Sequence, residues 1–337
     1  MGQDAMANVL VTGGAGYIGS HTCKILAANG IIPVTFDSLK NGHSEDVRWG
    51  PMVRGDIRDK AAIRGVLLEH RIEAVFHFAA LAYVGESVTR PEDYYDVNVV
   101  GTAALLAAMR EASVKKIVFS SSCATYGIPD RVPIDEGQEQ RPINPYGRTK
   151  LMGEQMLADY RKAYGLQYAV LRYFNAAGCD PDGALAEKHV PEPHLIPNAL
   201  LAASGLGAPL QIHGTDYNTP DGTAIRDYIH VTDLAIAHWL AFDQLSGAGD
   251  PIALNLGTGH GHSVRDVIAM ARRVTGLAVP FNEGPRRPGD PPILVAQTSK
   301  AATALGFSPR YSDLETIVRT AWHGIKLVHG GRAGKSD

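Results

Sequence analysis

The stretch Asn8-Val9-Leu10-Val11-Thr12-Gly13-Gly14-Ala15-Gly16-Tyr17-Ile18-Gly19-Ser20 decides the fold. A short apolar strand runs into a glycine turn, and the turn opens a helix that continues through Ile25, Leu26 and Ala27. Gly13, Gly16 and Gly19 follow the pattern G-x-x-G-x-x-G. The first glycine permits a sharp turn, the second lets backbone N–H groups approach a diphosphate, and the third lets helix and strand pack closely. A helix N-terminus, here at Tyr17 and Ile18, offers unpaired N–H donors and a partial positive charge that suit pyrophosphate. A second apolar run, Ile31–Phe36, ends in Asp37. A carboxylate there accepts hydrogen bonds from the adenosine ribose hydroxyls and repels a 2′-phosphate, so NAD is expected rather than NADP.

From Asn8 to about Asn175, strand and helix signals alternate, the signature of an α/β fold with a Rossmann-type doubly wound parallel sheet. The strands are expected at Asn8–Thr12, Ile32–Phe36, Pro51–Arg54, Ala74–Ala79, Lys116–Ser121 and Gln167–Tyr173, with helices near Asp59–His70, Pro91–Ala112 and Tyr146–Tyr164. Such sheets bind their cofactor outside the carboxyl ends of the strands. Three strand ends therefore matter: Gly55-Asp56-Ile57, His77-Phe78-Ala79-Ala80 and Ser120-Ser121-Ser122. Asp56 is placed to bond the adenine with Ile57 beside the ring, although a plain Gly-Asp turn reads equally well. Phe78-Ala79-Ala80 puts small residues where a backbone passes close to the cofactor. Asn98 is either a cofactor contact or a buried structural amide.

After Gly178 the chain becomes loop-rich, then mixes helices near Pro197–Ala203, Thr232–Leu245, Val264–Thr275 and Leu314–Val328 with short strands at Leu210–His213, Ala253–Leu256 and Ile293–Val295. This predicts residues 1–175 as an NAD-binding domain and 176–337 as a smaller α/β substrate domain over the sheet's carboxyl edge, with a cleft between them. Part of 225–260 is expected to pack back against the first domain, and Gly330–Asp337 to fray.

At 337 residues, with 45% hydrophobic and 20% charged residues, the chain has the composition of a globular protein with a sizeable core. Its net charge of −3 and lack of a basic block argue against nucleic acid or an acidic membrane surface as partner. Cys23, Cys123 and Cys179 are an odd, widely spaced set, expected to be reduced thiols in the cytoplasm. No apolar run reaches the roughly 18 residues that span a bilayer, and Met1–Ala7 lacks signal-peptide character. Met6 stands where a myristoylation motif at Gly2 wants Ser or Thr, and reads as an alternative start. The 13 histidines show no ligand spacing, His260-Gly-His262 being read as loop, so no metal site is expected.

The second informative stretch is Asn144-Pro145-Tyr146-Gly147-Arg148-Thr149-Lys150. Asn144 is a good N-cap and Pro145 a good first helical residue, so Tyr146 and Lys150 fall at i and i+4 on one helix face. An ammonium and a positively charged nicotinamide ring beside a phenol both favour the phenolate. Lowering its pKa from about 10 to about 7 takes roughly 4 kcal/mol and produces a general base matched to neutral pH. A serine at the Ser-rich strand end, Ser122 above all, can hold a substrate oxygen and relay its proton to Tyr146; Ser120 and Ser121 read as structural.

Thr12–His21, Val84-Gly-Glu-Ser87, Ser120–Gly127, Pro145-Tyr-Gly-Arg-Thr-Lys150, Leu171-Arg-Tyr-Phe-Asn175 and Arg226-Asp-Tyr-Ile-His-Val231 together resemble the extended short-chain dehydrogenase/reductase family. More narrowly they are similar to its UDP-glucose 4-epimerase branch, and the motifs run from Leu10 to beyond Asp290. The resemblance implies that Tyr146 is the base, Ser122 its hydrogen-bonding partner, and Lys150 both its tuner and a ligand of the nicotinamide ribose. It also implies cofactor contacts from Ser120 and Tyr173. UDP-sugar contacts are implied for Asn175, His194, Leu195, Gln211, His213, Arg226, Arg287 and Asp290. Guanidinium forks at Arg226 and Arg287 suit a diphosphate. The implied reaction interconverts UDP-glucose and UDP-galactose through a 4-keto sugar, in a homodimer joined through Pro91–Ala112 and Leu151–Tyr164.

The chain departs from the family pattern at several places. Ala82 stands where a lysine is frequent, His213 where an aromatic commonly stacks on uracil, His194 where Asn precedes Leu, and Leu294 where a bulky tyrosine limits the sugar pocket. Such variation accompanies UDP-xylose/UDP-arabinose 4-epimerases, which leaves the sugar open. A nucleotide-sugar 4,6-dehydratase is disfavoured because Ser121-Ser122-Cys123-Ala124 lacks the Asp-Glu pair that elimination needs. A simple ketone reductase is disfavoured by Asp37, and a dinucleotide-sensing regulator by the retained Tyr146, Lys150 and Ser122.

Overall fold

β1 (Asn8–Thr12) is an interior strand of the main sheet, with Val9, Leu10 and Val11 wholly buried. The structure is a computed structural model, and residues 7–246, 250–287 and 290–330 are described. The expectations for residues 1–6 and 331–337 lie outside the described residues. The other strands are β2 (Ile32–Asp37), β3 (Met52–Arg54), β4 (Ala74–His77), β5 (Lys116–Ser122), β6 (Gln167–Tyr173), β7 (Asn175–Ala177), β8 (Leu210–His213), β9 (Ile225–His230), β10 (Ile252–Leu256), β11 (Gly261–Ser263), β12 (Phe281–Gly284) and β13 (Ile293–Leu294).

The main sheet has seven strands in the order β10-β6-β5-β4-β1-β2-β3. β1 pairs in parallel with β2 and β4, Leu10 lying opposite Val34 on one side and Val75 on the other. A continuous apolar run suits a parallel strand covered on both faces. Strand order reverses beside β1, so the glycine turn stands at the topological switch point, where ligands bind in sheets of this kind. This is the Rossmann-type α/β fold anticipated from the sequence.

The chain forms two compact units and passes between them several times. The first comprises residues 1–127, 139–172 and 235–254; the second comprises 128–138, 173–234 and 255–337. In the first, Leu10, Phe36, Val75, Leu105, Leu106, Phe119 and Leu157 share one core. In the second, Leu200, Ile212, Tyr228, Val267, Ile317 and Val318 share another, built from β8, β9 and the helices Leu195–Ala203, Val264–Thr275 and Leu314–His329.

The local signals act as their chemistry requires. Asn144 Oδ1 accepts from Gly147 N at 2.8 Å, Pro145 opens the helix Pro145–Tyr164, and Gly165 ends it at φ 73°. Ser263 and Asp266 form a reciprocal capping box on the helix Val264–Thr275. The helix expected at Pro91–Ala112 runs from Pro91 to Glu111 with a π-turn over Tyr95–Val100, where Asn98 sits. β7, β9, β11 and β12 were not apparent from the sequence. β9 is disguised because polar side chains occupy its buried positions: Asp227 and His230 are fully buried. The Asp227 carboxylate accepts from the backbone N–H groups of Thr258, Gly259 and Ala296, so its burial is compensated.

Gly19 has the tightest packing of the three motif glycines: a Cβ there would lie 2.2 Å from Gly13 O and 2.9 Å from Gly14 Cα. Both obstacles are backbone and cannot rotate away. Gly19→Ala is therefore expected to lower unfolding free energy by about 1–3 kcal/mol, read as a lower urea midpoint with unchanged slope. A midpoint equal to wild type would mean that the helix and strand are free to separate.

Candidate active site

Gly13 adopts φ +75°, and a Cβ on it would sit 2.6 Å from Ala79 N, so the chain after β4 passes directly against the turn. Ala79 N in turn donates to Thr12 O at 3.0 Å. The small residues of Phe78-Ala79-Ala80 thus serve this backbone contact. Gly16 is the N-cap of the helix Tyr17–Ala28, which has no capping side chain and no acid in its first turn. The Tyr17 and Ile18 end therefore keeps its positive character for an anion. Asp37 is buried, its Oδ2 accepting from Ala15 N at 3.1 Å and its Oδ1 from Leu39 N at 2.8 Å. Those bonds fix the carboxylate and leave lone pairs for ribose hydroxyls. The glycine turn, open helix end and oriented acid fit a dinucleotide.

Other expected cofactor residues are more deeply engaged. Asp56 is paired with Arg58, whose guanidinium holds its carboxyl down at about 2. Ile57 belongs to the apolar core and packs on Gly101. Asn98 Nδ2 donates to Leu81 O and Thr149 Oγ1, both at 3.0 Å, and its Oδ1 accepts from Leu81 N at 2.8 Å. Of the two readings offered by the sequence, the structural amide is what the geometry describes: Asn98 ties the loop after β4 to the Pro145–Tyr164 helix. Tyr173 is buried at the end of β6.

Tyr146, Ser122 and Lys150 are all buried, at 8%, 7% and 5% exposure. The Ser122 hydroxyl is hydrogen-bonded to the Tyr146 phenol. Lys150 Nζ donates to Ser120 O at 2.8 Å and lies 5.9 Å from the Tyr146 ring centroid. Tyr94 packs edge-on against Tyr146, with centroids 6.5 Å apart.

The protein's own groups, without the nicotinamide charge that the sequence reading invoked, act on the phenol chiefly through burial. Burial pushes Tyr146 up to about 12, and the Ser122 hydrogen bond offsets only part of that. Burial likewise pushes the Lys150 amine down to about 8, against the opposing pull of Glu154. The lysine turns its ammonium to the Ser120 carbonyl, so the protein's own charges leave Tyr146 protonated at neutral pH. A phenolate needs further positive charge brought in by a ligand.

Beneath this group is a network that the sequence reading missed. Glu154, one helical turn after Lys150, accepts from Ser121 Oγ at 2.5 Å, Arg172 Nη2 at 2.6 Å and Gln140 Nε2 at 3.1 Å. Arg172 Nη1 also donates to Tyr126 OH at 2.9 Å. The only available signal was the i+4 spacing from Lys150, which an exposed helix face would show equally.

The second unit holds the remaining candidates. Asn175 Nδ2 donates to Asp227 O at 2.9 Å, and Arg226 Nη2 pairs with Asp290 Oδ1 at 2.5 Å. Arg287 and Asp290 line a cavity of about 760 Å³ with Tyr217, Asn218 and Arg286. Arg286 stacks over the Tyr217 ring at 4.4 Å, a cation–π pair that nothing in the sequence pattern announced. Burial and the nearby Arg287 push His213 below its ordinary pKa. Gln211 Nε2 contacts the carbonyls of Ile212 and Asn282 at 3.4 and 3.3 Å. Leu195 begins the Leu195–Ala203 helix, whose N-cap is His194. His194 is drawn into a group with Glu187, His189 and Glu192. A folded loop thus brings together residues whose spacing follows no familiar ligand pattern.

Residues 9–257 match the model of the NAD dependent epimerase/dehydratase family. The chain belongs to that family. Within it, a UDP-glucose 4-epimerase of Rhizobium meliloti (strain 1021) is 52% identical over 94% of this chain and 96% of its own length. A crystal structure of UDP-glucose 4-epimerase from Brucella ovis in complex with NAD aligns with a TM-score of 0.92 at 57% identity, covering 94% of this chain and 97% of that one. A third relative, UDP-glucose-4-epimerase from Stenotrophomonas maltophila with bound NAD and formylated UDP-arabinopyranose, aligns at 0.93 and 43% identity over 97% of this chain and all (100%) of that one.

Lys150 gives this family member a distinctive pH dependence when free of dinucleotide. Its amine titrates near 8 in the folded protein and near 10.5 when unfolded. Between those values the unfolded chain binds the extra proton, so the Lys150 contribution to stability rises with pH across that window. Urea unfolding at pH 7 and pH 10 should show the wild type gaining up to about 3 kcal/mol relative to Lys150→Met. Parallel pH profiles for the two proteins would refute a buried, depressed lysine.

Proposed function

We propose that the chain is an NAD-dependent isomerase that inverts C4 of a UDP-sugar, interconverting UDP-glucose and UDP-galactose. The observation that carries this reading is the buried Ser122–Tyr146–Lys150 group at the carboxyl end of a dinucleotide-binding sheet. Gly13, Gly16, Gly19 and Asp37 would hold the cofactor through its pyrophosphate and adenosine ribose, and Lys150 would bind its second ribose. When bound, NAD supplies a hydride acceptor for the sugar carbon and a positive ring charge beside the phenol. Tyr146 Oη takes the proton of the 4-hydroxyl as C4 gives up its hydride, and returns the proton to the same oxygen once the 4-keto sugar has turned and hydride has come back to the opposite face of C4, which inverts that carbon. Ser122 holds the sugar oxygen in line with that phenol, and the Lys150 ammonium favours the phenolate. Arg226, Arg287 and Asn175 anchor the UDP, so the sugar can turn without leaving.

A UDP-xylose/UDP-arabinose pair is the second reading. It is favoured by Leu294 in place of a bulkier residue and by the arabinopyranose nucleotide bound to the Stenotrophomonas relative. The protein works as a homodimer in the cytoplasm. Val100, Met152 and Tyr164 leave apolar surface on the Pro91–Glu111 and Pro145–Tyr164 segments. Cys23, Cys123 and Cys179 are buried thiols outside any disulfide, which suits a reducing compartment, and no helix among the described residues is long and apolar enough to cross a membrane.

Proton NMR of purified protein with UDP-galactose and, separately, UDP-arabinopyranose is expected to show UDP-glucose or UDP-xylose without added cofactor, the rate ratio naming the sugar. No new anomeric signal even after adding NAD would refute epimerisation. Tyr146→Phe should keep NAD and UDP binding while losing about 10²- to 10⁴-fold in kcat; undiminished kcat would remove Tyr146 as the base.

A further inference from the structure

The segment 187–194 of the second unit gathers two carboxylates and two imidazoles that the epimerase chemistry does not require. One donor atom from each of Glu187, His189, Glu192 and His194 lies within 4.8 Å of all the others. His194 Nδ1 is 2.8 Å from Glu187 Oε1 and 2.8 Å from Glu192 Oε1. His189 Nδ1 is 3.0 Å from Glu187 Oε1 and 3.9 Å from Glu192 Oε2. A tetrahedral ion with bonds of 2.0–2.2 Å has donor–donor edges of roughly 3.3–3.6 Å. The observed edges bracket that length, so small side-chain rotations would complete the polyhedron.

Charge points the same way. The Glu187 and Glu192 side chains are only 5% and 10% exposed. Two carboxylates facing each other at that depth require about two positive charges beside them. Two imidazolium protons would meet that need, and so would one dication bound to neutral imidazoles. Both histidines turn Nδ1 to the common point, the orientation in which either a proton or a metal is held. Glu192 is further fixed by the His194 N–H, which donates to its Oε1 at 2.8 Å, and by Asn198 Nδ2, which donates to its carbonyl at 3.0 Å. Outer hydrogen bonds of this kind orient metal ligands. Mixed imidazole and carboxylate donors select a zinc-class ion over calcium or magnesium, which prefer oxygen alone.

We propose that Glu187, His189, Glu192 and His194 form a structural binding site for one divalent transition metal of the zinc class, which replaces protons shared among these side chains. The ion would lock residues 187–194 to the start of the Leu195–Ala203 helix. Metal binding here does not rest on the epimerase reading, although the two share His194, for which the family resemblance implies a UDP-sugar contact.

The test uses the full-length protein, treated with chelator and then dialysed against micromolar zinc. One zinc per chain by mass spectrometry is expected, with a zinc-dependent rise in melting temperature. Cobalt in its place should give the intense visible bands of tetrahedral coordination. Glu187→Gln and His189→Gln should each weaken zinc binding by more than about tenfold and abolish the melting shift. The exposed His260→Gln should retain both. Circular dichroism of metal-free samples separates lost binding from misfolding. Failure of the wild type to bind zinc would overturn the site and leave a proton-bridged network. Equal binding by wild type and a correctly folded His189→Gln would overturn it too.

Discussion

A buried carboxylate ties the Pro145–Tyr164 helix to the main sheet. Glu154 sits on the Pro145–Tyr164 helix and reaches Ser121 on β5 and Arg172 on β6, so one side chain clamps a helix to two adjacent strands. Arg172 and Glu154 side chains are 8% and 9% exposed. Replacing either partner would strand a charge in the interior, a loss of about 3–5 kcal/mol in comparable buried pairs. The clamp also fixes chemistry, because Lys150 lies one turn before Glu154, and Ser120 and Ser122 flank Ser121. The relative placement of Tyr146, Ser122 and Lys150 follows from a pair that touches neither the phenol nor the amine.

The acidity of the group follows from the same burial. Close packing excludes water, which raises the Tyr146 phenol and lowers the Lys150 amine together. The Lys150 ammonium donates to the Ser120 carbonyl and keeps two further N–H donors and its charge beside the Tyr146 ring.

The second unit solves a different problem with the same means. Asp227 is fully buried in the middle of β9 and gathers backbone N–H groups from Thr258, Gly259 and Ala296, joining three separate segments. Next to it, Arg226 is paired with Asp290 and Asn175 with the Asp227 carbonyl. Residues suited to a diphosphate are thus held in place before any ligand arrives, which limits the side-chain entropy lost on binding.

The sequence alone determined the fold class, the cofactor turn and the Tyr146/Lys150 helix, because these depend on local physics: glycine at close approaches, strand and helix periods, and an Asn-Pro helix start. Even the bounds of β1 follow from its apolar run, and those of β8 from the alternation Leu210-Gln-Ile-His213. The tertiary structure alone decided which polar residues are interior. Asp227 hides a strand, Asn98 braces a loop, Glu154 joins three elements, and His189 and His194 meet over Glu187. Each depends on partners distant in sequence or on the path of a loop. No local period encodes such a meeting, since the energy that compensates a buried polar group comes from the partner that folding delivers.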